Sequence, residues 1–301
     1  MARLRRLQEC QQEHIPLPMN DVPRLHAAQL LRRYGLWATK SLGQNFLEDP
    51  EWLKQIATAA EIRGTDVVLE IGPGLGSLTP YLALMAHEVV AVELDRKFTP
   101  ILRKLFKPYH NIRLIEGDIL ALPPTSLGLP QRYVVAANIP YNITSALLRH
   151  LLSAEPRPRR MVLTVQEEVA ARLCSKPPDM SLLSLSVQVY GEPSIVARIP
   201  AEAFYPAPKV DSAVVRIEIH DAPVIQSDLL PVFFHLIKAG FSQKRKTMRN
   251  ALSGGMRIAP AAAGEFLLKA GIDPMRRAET LSLGEWEMLS RGWEDTRRAH
   301  S

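Results

Sequence analysis

The sequence predicts an α/β fold, a mostly parallel sheet covered by helices, followed by a small all-helical domain. Three observations carry this. Short apolar runs alternate with helical segments from residue 67 to about residue 173. A glycine-rich turn, Gly72-Pro73-Gly74-Leu75-Gly76, directly follows the first of those runs. Beyond Asp221-Ala222-Pro223 only helical periodicity remains. Apolar strands separated by helices imply parallel pairing with both sheet faces buried.

The elements follow in order. Residues 21–35 read as a helix, with Leu25, Ala28, Leu30 and Leu31 at helical spacing and Gly35 as its stop. Residues 39–47 are polar, carry Gly43, and read as a loop. A helix over 50–60 opens with Asp49 as cap and Pro50 in the first turn. Strands are expected at 67–71, 89–92, 112–115, 133–137 and 161–165. Helices are expected at 77–85, 98–105 and 145–152, with another ending at 173. Residues 185–190 and 214–219 alternate and read as an antiparallel pair closing the sheet. Helices follow at about 228–240, 243–252, 261–270 and 282–291. The implied division is an extension and helix at 1–36, a catalytic domain at 37–220, and a helical RNA-binding domain at 221–301.

The 301 residues are 47% hydrophobic, enough for a sizeable core, and carry a net charge of +6. That balance favours an anionic partner such as nucleic acid. Two cysteines, Cys10 and Cys174, form no CxxC pair, so neither a structural zinc nor a disulfide framework is expected, and no metal site. A reducing cytoplasmic setting fits this cysteine usage. No apolar run reaches membrane-span length, so no membrane partner is expected, and a monomer is. Arg3, Arg5 and Arg6 are followed by Glu9 and Glu13 with no apolar stretch, which argues against a secretory signal.

The glycine turn lets the backbone approach a ligand at the carboxyl ends of the strands. Its pattern is GxGxG rather than GxGxxG, Pro73 removes a donor, and no Walker lysine follows. A ligand without phosphates fits, and S-adenosylmethionine is the expected cofactor. Glu93, closing the second strand, suits a ribose diol; Asp118, after the third, suits an adenine amino group. Alone, the turn is equally a tight structural loop and Glu93 equally a solvated charge; the three at successive strand ends are more specific.

The fourth strand runs into Asn138-Ile139-Pro140-Tyr141. An aromatic amine has its lone pair delocalised into the ring, so methylating it requires holding both N–H groups. The Asn138 side-chain oxygen and the Ile139 carbonyl supply two acceptors. Pro140 stiffens the turn, and Tyr141 offers a stacking face. No strong base is needed, because the amine becomes acidic only as it is alkylated; positioning and electrostatics suffice. The adenine must leave its stack, and Phe204, in Phe204-Tyr205-Pro206-Ala207-Pro208, is a candidate second stacking face. Ordinary core packing is the competing reading for Phe204. The run Lys244-Arg245-Lys246 with Arg249 is a candidate RNA contact on the helix expected at 243–252. A solvated helix face has the same appearance. Arg157, Arg159 and Arg160 form a second, more ambiguous cluster.

Together, Ser41 to Leu47, Glu70 to Gly76, Glu93-Leu94-Asp95, Asn138 to Tyr141 and Pro208 to Val214 resemble the KsgA/RsmA family, small-subunit ribosomal RNA adenine dimethyltransferases. The resemblance spans about residues 40–286. It implies a class I (Rossmann-like) methyltransferase sheet with Asn45, Leu47, Gly72, Glu93, Asp118 and Asn138 lining the S-adenosylmethionine site. It also implies dimethylation of two adjacent adenosines near the 3′ end of 16S ribosomal RNA in an assembling small subunit. Ile139 departs from the family's usual leucine, harmlessly if the position acts through its carbonyl. Three alternatives stand beside this: a large-subunit adenine methyltransferase of the antibiotic-resistance kind, a DNA N6-adenine methyltransferase, and a non-catalytic assembly or transcription factor.

Overall fold

The structure, a computed structural model, describes residues 19, 22–243 and 245–299. The chain divides into two compact units. The first runs to Ala170 and takes in Ser194–Ile219; the second comprises Ala171–Pro193 and the chain from His220 onward. The sequence division assigned 171–193 to the catalytic domain, so the helical unit is larger than its sequence suggests. The extension at 1–18 and Cys10 lie outside the described residues.

The first unit opens with α1 (Ala27–Arg33), then β1 (Phe46–Leu47) and α2 (Pro50–Ala59). Helix α1 starts later than the expected 21–35, because His26 is extended at φ −108° and ψ 100°. The expected loop at 39–47 contains a 3-10 turn, Lys40–Leu42, and the short strand β1. Asp49 caps α2 by accepting from the Glu51 amide at 2.9 Å, with Pro50 in the first turn.

The main sheet is built from β2 (Val67–Ile71), β3 (Glu88–Glu93), β4 (Ile112–Glu116), β5 (Val134–Asn138) and β6 (Arg160–Gln166). Intervening helices are α3 (Thr79–Ala83), α4 (Thr99–Leu105) and α5 (Thr144–Ser153), and α6 (Glu167–Leu173) follows β6. Their order across the sheet is β4-β3-β2-β5-β6, all parallel. Chain progress runs outward from β2 to β4, then resumes on β2's other side at β5. The switch point between β2 and β5 is where doubly wound sheets bind ligands. The strands show why they were legible: Val68, Leu69, Val134, Val135, Ala136 and Ala137 are fully buried, so no polar face interrupts them.

Residues 185–190 do not form a strand. They belong to α7 (Leu182–Gln188), capped by Ser181, whose hydroxyl accepts from the Ser184 amide at 3.0 Å while Ser184 Oγ accepts from the Ser181 amide at 2.7 Å. The strand follows instead as β7 (Gly191–Ile199), at the sheet edge, where Pro193 is tolerated. After the two-residue β8 (Phe204–Tyr205), β9 (Ser212–Ile219) pairs antiparallel with β6 and neighbours β7.

The second unit continues through α8 (Leu230–Gly240), α9 (Met248–Met256), α10 (Pro260–Lys269) and α11 (Leu283–Ala299). Helix α9 begins five residues later than expected: Thr247 is extended, and Arg245 and Lys246 lie in the turn before the helix. No described helix is long and apolar enough to cross a membrane.

Candidate active site

A cavity in the first unit opens at the switch point. Its lining includes Asn45, Leu47, Glu70, Gly72, Glu93, Asp118 and the whole turn Asn138 to Tyr141. Each side chain arrives there for a local reason. Gly72 adopts φ +65° as β2 ends, and a Cβ there would stand 3.7 Å from Pro140 Cδ, so the glycine turn lies against the Asn138 turn. Gly74, at φ +59°, has no room for a side chain: a Cβ would meet the Phe46 ring at 3.0 Å.

Glu93 locks the glycine turn in place. Its Oε2 accepts from the Gly74 amide and its Oε1 from the Asp95 amide, both at 2.8 Å. Asp95 in turn accepts from Gln44 Nε2 at 2.9 Å, and Gln44 Oε1 accepts from the Thr39 amide at 2.8 Å. The Ser41–Leu47 segment and the ends of β2 and β3 thus share one hydrogen-bond chain. Gln44 and Asp95 drew no role in the sequence reading, although both lie inside its motifs. Only the tertiary pairing of these segments reveals what they do. Burial pushes the Glu93 carboxyl up to about 7, against the pull of the Asp95, Gly74 and Leu94 amides. Glu70, the acid of β2, is 2% exposed; burial pushes its carboxyl up to about 8, opposed by the Thr79 hydroxyl and reinforced by Glu93. It too escaped the sequence reading, where it marked only the approach to the glycines. Asp118 is exposed at the cavity's rim, its Oδ1 accepting from the Leu120 amide at 2.9 Å.

At the Asn138 turn, Asn138 Nδ2 donates to the Asn45 carbonyl at 3.0 Å. A carbonyl can only accept, so this bond fixes which end of the amide is nitrogen. The Asn138 Oδ1 is left as the uncommitted acceptor, and no described donor reaches the Ile139 carbonyl. Ile139 is 2% exposed, and it lines the cavity with the rest of the turn. Tyr141 is held by a 2.7 Å hydrogen bond between its hydroxyl and Ser212 Oγ, which ties the turn to β9. Phe204 is 4% exposed, packs in the core with Leu47 and Val214, and is not among the cavity's lining residues. Arg245, Lys246 and Arg249 are exposed and pair with no carboxylate among the described residues; Lys244 lies outside them. Arg159 and Arg160 are not free cations: Arg159 pairs with Asp66 at 2.7 Å, and Arg160 with Glu61 and Glu218. Arg157 pairs with Glu155.

The cavity's charge identifies its ligand class. It is lined by three carboxyls and by no lysine, arginine or histidine. With no cation in its lining the cavity offers a phosphate no counter-charge, and its carboxyl oxygens suit a ligand rich in hydroxyl and amino donors. A sulfonium cofactor carrying a ribose diol and an adenine matches the donor set. Fold and site together define a class I methyltransferase that uses S-adenosylmethionine.

Comparisons with known proteins narrow this further. The pattern of the ribosomal RNA adenine dimethylase family matches residues 36–291, and the chain belongs to that family. A ribosomal RNA small subunit methyltransferase A from Dehalococcoides mccartyi is 46% identical over 91% of this chain and 95% of its own length. One from Moorella thermoacetica is 42% identical over 87% and 94%. Among solved structures, a dimethyladenosine transferase from Plasmodium falciparum superposes with a TM-score of 0.72 at 26% identity, over 84% of this chain and 98% of that one. The 23S rRNA methyltransferase ErmE superposes at 0.68 with 27% identity, over 83% and 100%.

Proposed function

We propose that this chain methylates N6 of two adjacent adenosines near the 3′ end of 16S ribosomal RNA, twice each, acting as a cytoplasmic monomer on the assembling small subunit. The observation that carries the chemistry is the Asn138–Asn45 hydrogen bond. By committing Nδ2 to a carbonyl, it leaves Oδ1 and the Ile139 carbonyl as the two acceptors an exocyclic amine requires. S-adenosylmethionine, when bound, supplies the electrophilic methyl group. The protein's part is to hold the amine, stack the adenine on Tyr141 and keep water away. Phe204, in β8 and packed with Leu47 and Val214, serves the core, and Tyr141 is the stacking face on which this reading relies. Arg245, Lys246 and Arg249, exposed and unpaired, are available for RNA phosphates, and Lys244 is assigned to the same run from its sequence.

The choice of subunit rests on the relatives: those named for the small subunit reach 46% identity, the large-subunit enzyme 27%. The test offers unmethylated small and large subunits with labelled S-adenosylmethionine. Label entering the small subunit supports the assignment; label entering only the large subunit transfers the chain to the other specificity. No label in either returns it to a non-catalytic role.

A further inference from the structure

Trp37 is the most exposed large hydrophobic side chain among the described residues, at 81%. Its neighbours Leu36 and Ala38 both pack against the cluster around Phe98 and Leu102, so the backbone beneath the indole is anchored and the ring is held outward. The surroundings are cationic. Arg24, Arg32, Arg33 and Lys40 are exposed and without carboxylate partners among the described residues, and residues 22–47 contain no aspartate or glutamate. Tyr34 adds a second partly exposed ring at 38%.

This surface adjoins the site. Thr39 is hydrogen-bonded to Gln44, which lines the cavity, and consecutive Cα atoms lie about 3.8 Å apart, so the Trp37 Cα is within about 8 Å of Thr39. Gly43 closes the approach: a Cβ there would stand 3.2 Å from Asn142 Oδ1 and 3.3 Å from Pro140 Cβ, so this segment is seated on the Asn138 turn. Aromatic faces interleaved with unpaired cations are what binds unstacked nucleotides. A nucleotide beside an extruded adenosine has lost its own stacking partner.

We infer that Trp37 stacks a single-stranded RNA base flanking the target adenosine, with Lys40, Arg32 and Arg33 contacting the adjoining phosphates. The inference rests on the RNA-methylation reading. Trp37 is a substrate-positioning residue here, so its loss acts on KM rather than on kcat.

Two measurements test it. In steady-state methylation of unmethylated small subunits, Trp37→Ala raises KM about tenfold with kcat within about twofold, and Trp37→Tyr recovers most of the loss. A short unstructured RNA oligonucleotide quenches the tryptophan fluorescence of the unaltered protein, and Trp37→Phe removes that quenching; fully buried Trp286 and half-buried Trp52 and Trp293 are common to both proteins and give the background. Unchanged KM in Trp37→Ala, persistent quenching in Trp37→Phe, or quenching by phosphatidylglycerol vesicles but not by RNA overturns the inference. Failure of the unaltered protein to methylate small subunits defeats the functional reading instead. The oligonucleotide measurement still decides whether Trp37 binds RNA.

Discussion

Among the described residues the Asn138 side chain makes one hydrogen bond, to the Asn45 carbonyl, and that bond determines what its other end can do. Asn138→Ala removes both the anchor and the amine acceptor. Single-turnover methyl transfer is expected to fall by about 100-fold or more, the scale of losing one preorganised polar group in an active site. Subunit binding should stay within about twofold. Full activity would remove this residue from the mechanism. Glu70 is the second informative residue. Its carboxyl sits raised to about 8 from an ordinary 4.5, so ionising it in the cofactor-free protein is unfavourable. The sign follows: below about pH 4.5 the group is neutral folded and unfolded and costs nothing. Between about pH 4.5 and 8 the unfolded state is ionised while the folded state stays protonated, so the folded state loses stability across that window, and the loss is complete above 8. Glu70→Gln should therefore raise the melting temperature of the cofactor-free protein at pH 9 and leave it nearly unchanged at pH 4.5. It should also weaken S-adenosylmethionine binding. A melting-temperature difference that does not grow with pH would show that Glu70 carries no buried charge penalty.

At the scale of elements, legibility followed the physics of each segment. Strands β2, β3, β5 and β6 read correctly because burial on both faces leaves contiguous apolar runs. Residues 185–190 mislead because Leu-Ser-Val-Gln-Val-Tyr alternates at strand period, while the start of the helix Leu182–Gln188 is hidden in a capping box with serine, not glutamate, at its third position. The basic run reads as part of α9, but Arg245 and Lys246 precede Thr247, where the chain is still extended, and Arg249 alone of its described cations lies on the helix. In the site, the glycine turn, Glu93, Asp118 and Asn138 were legible because strand ends carry them. The Gln44–Asp95–Glu93 chain and the Tyr141–Ser212 bond join segments far apart in sequence, and nothing local announces them. Neighbouring glycines in α9 give a test of helix packing. A Cβ on Gly255 would lie 2.4 Å from Ala239 Cβ in α8, whereas Gly254 has nothing within 4 Å. Gly255→Ala is expected to cost about 1–3 kcal/mol by overpacking. Gly254→Ala should stabilise by up to about 1 kcal/mol through helix propensity. Denaturant unfolding separates the two; similar effects from both would mean α8 and α9 do not approach as described.

For the molecule as a whole, the net charge of +6 is unevenly used. The cofactor cavity is lined by acids and no bases, while unpaired cations gather on exposed turns and helices. Such a division separates a cationic ligand from a polyanionic one within a single chain. Replacing Arg245, Lys246 and Arg249 together by alanine should weaken subunit binding at low salt. It should also reduce the slope of log affinity against log salt by about two, one fraction of a counterion per lost phosphate contact. An unchanged slope would return these residues to a solvated surface. The central claim is that the Asn138 turn directs methyl groups to an adenine amino nitrogen of small-subunit RNA, and nucleoside analysis of the product tests it most directly. Unmethylated small subunits are incubated with labelled S-adenosylmethionine, and their RNA is digested and sequenced. The account predicts label only in N6,N6-dimethyladenosine at two adjacent positions near the 3′ end of 16S RNA, entering about 100-fold or more slowly with Asn138→Ala. Label on a ring nitrogen, on ribose, or on any base other than adenine would contradict it.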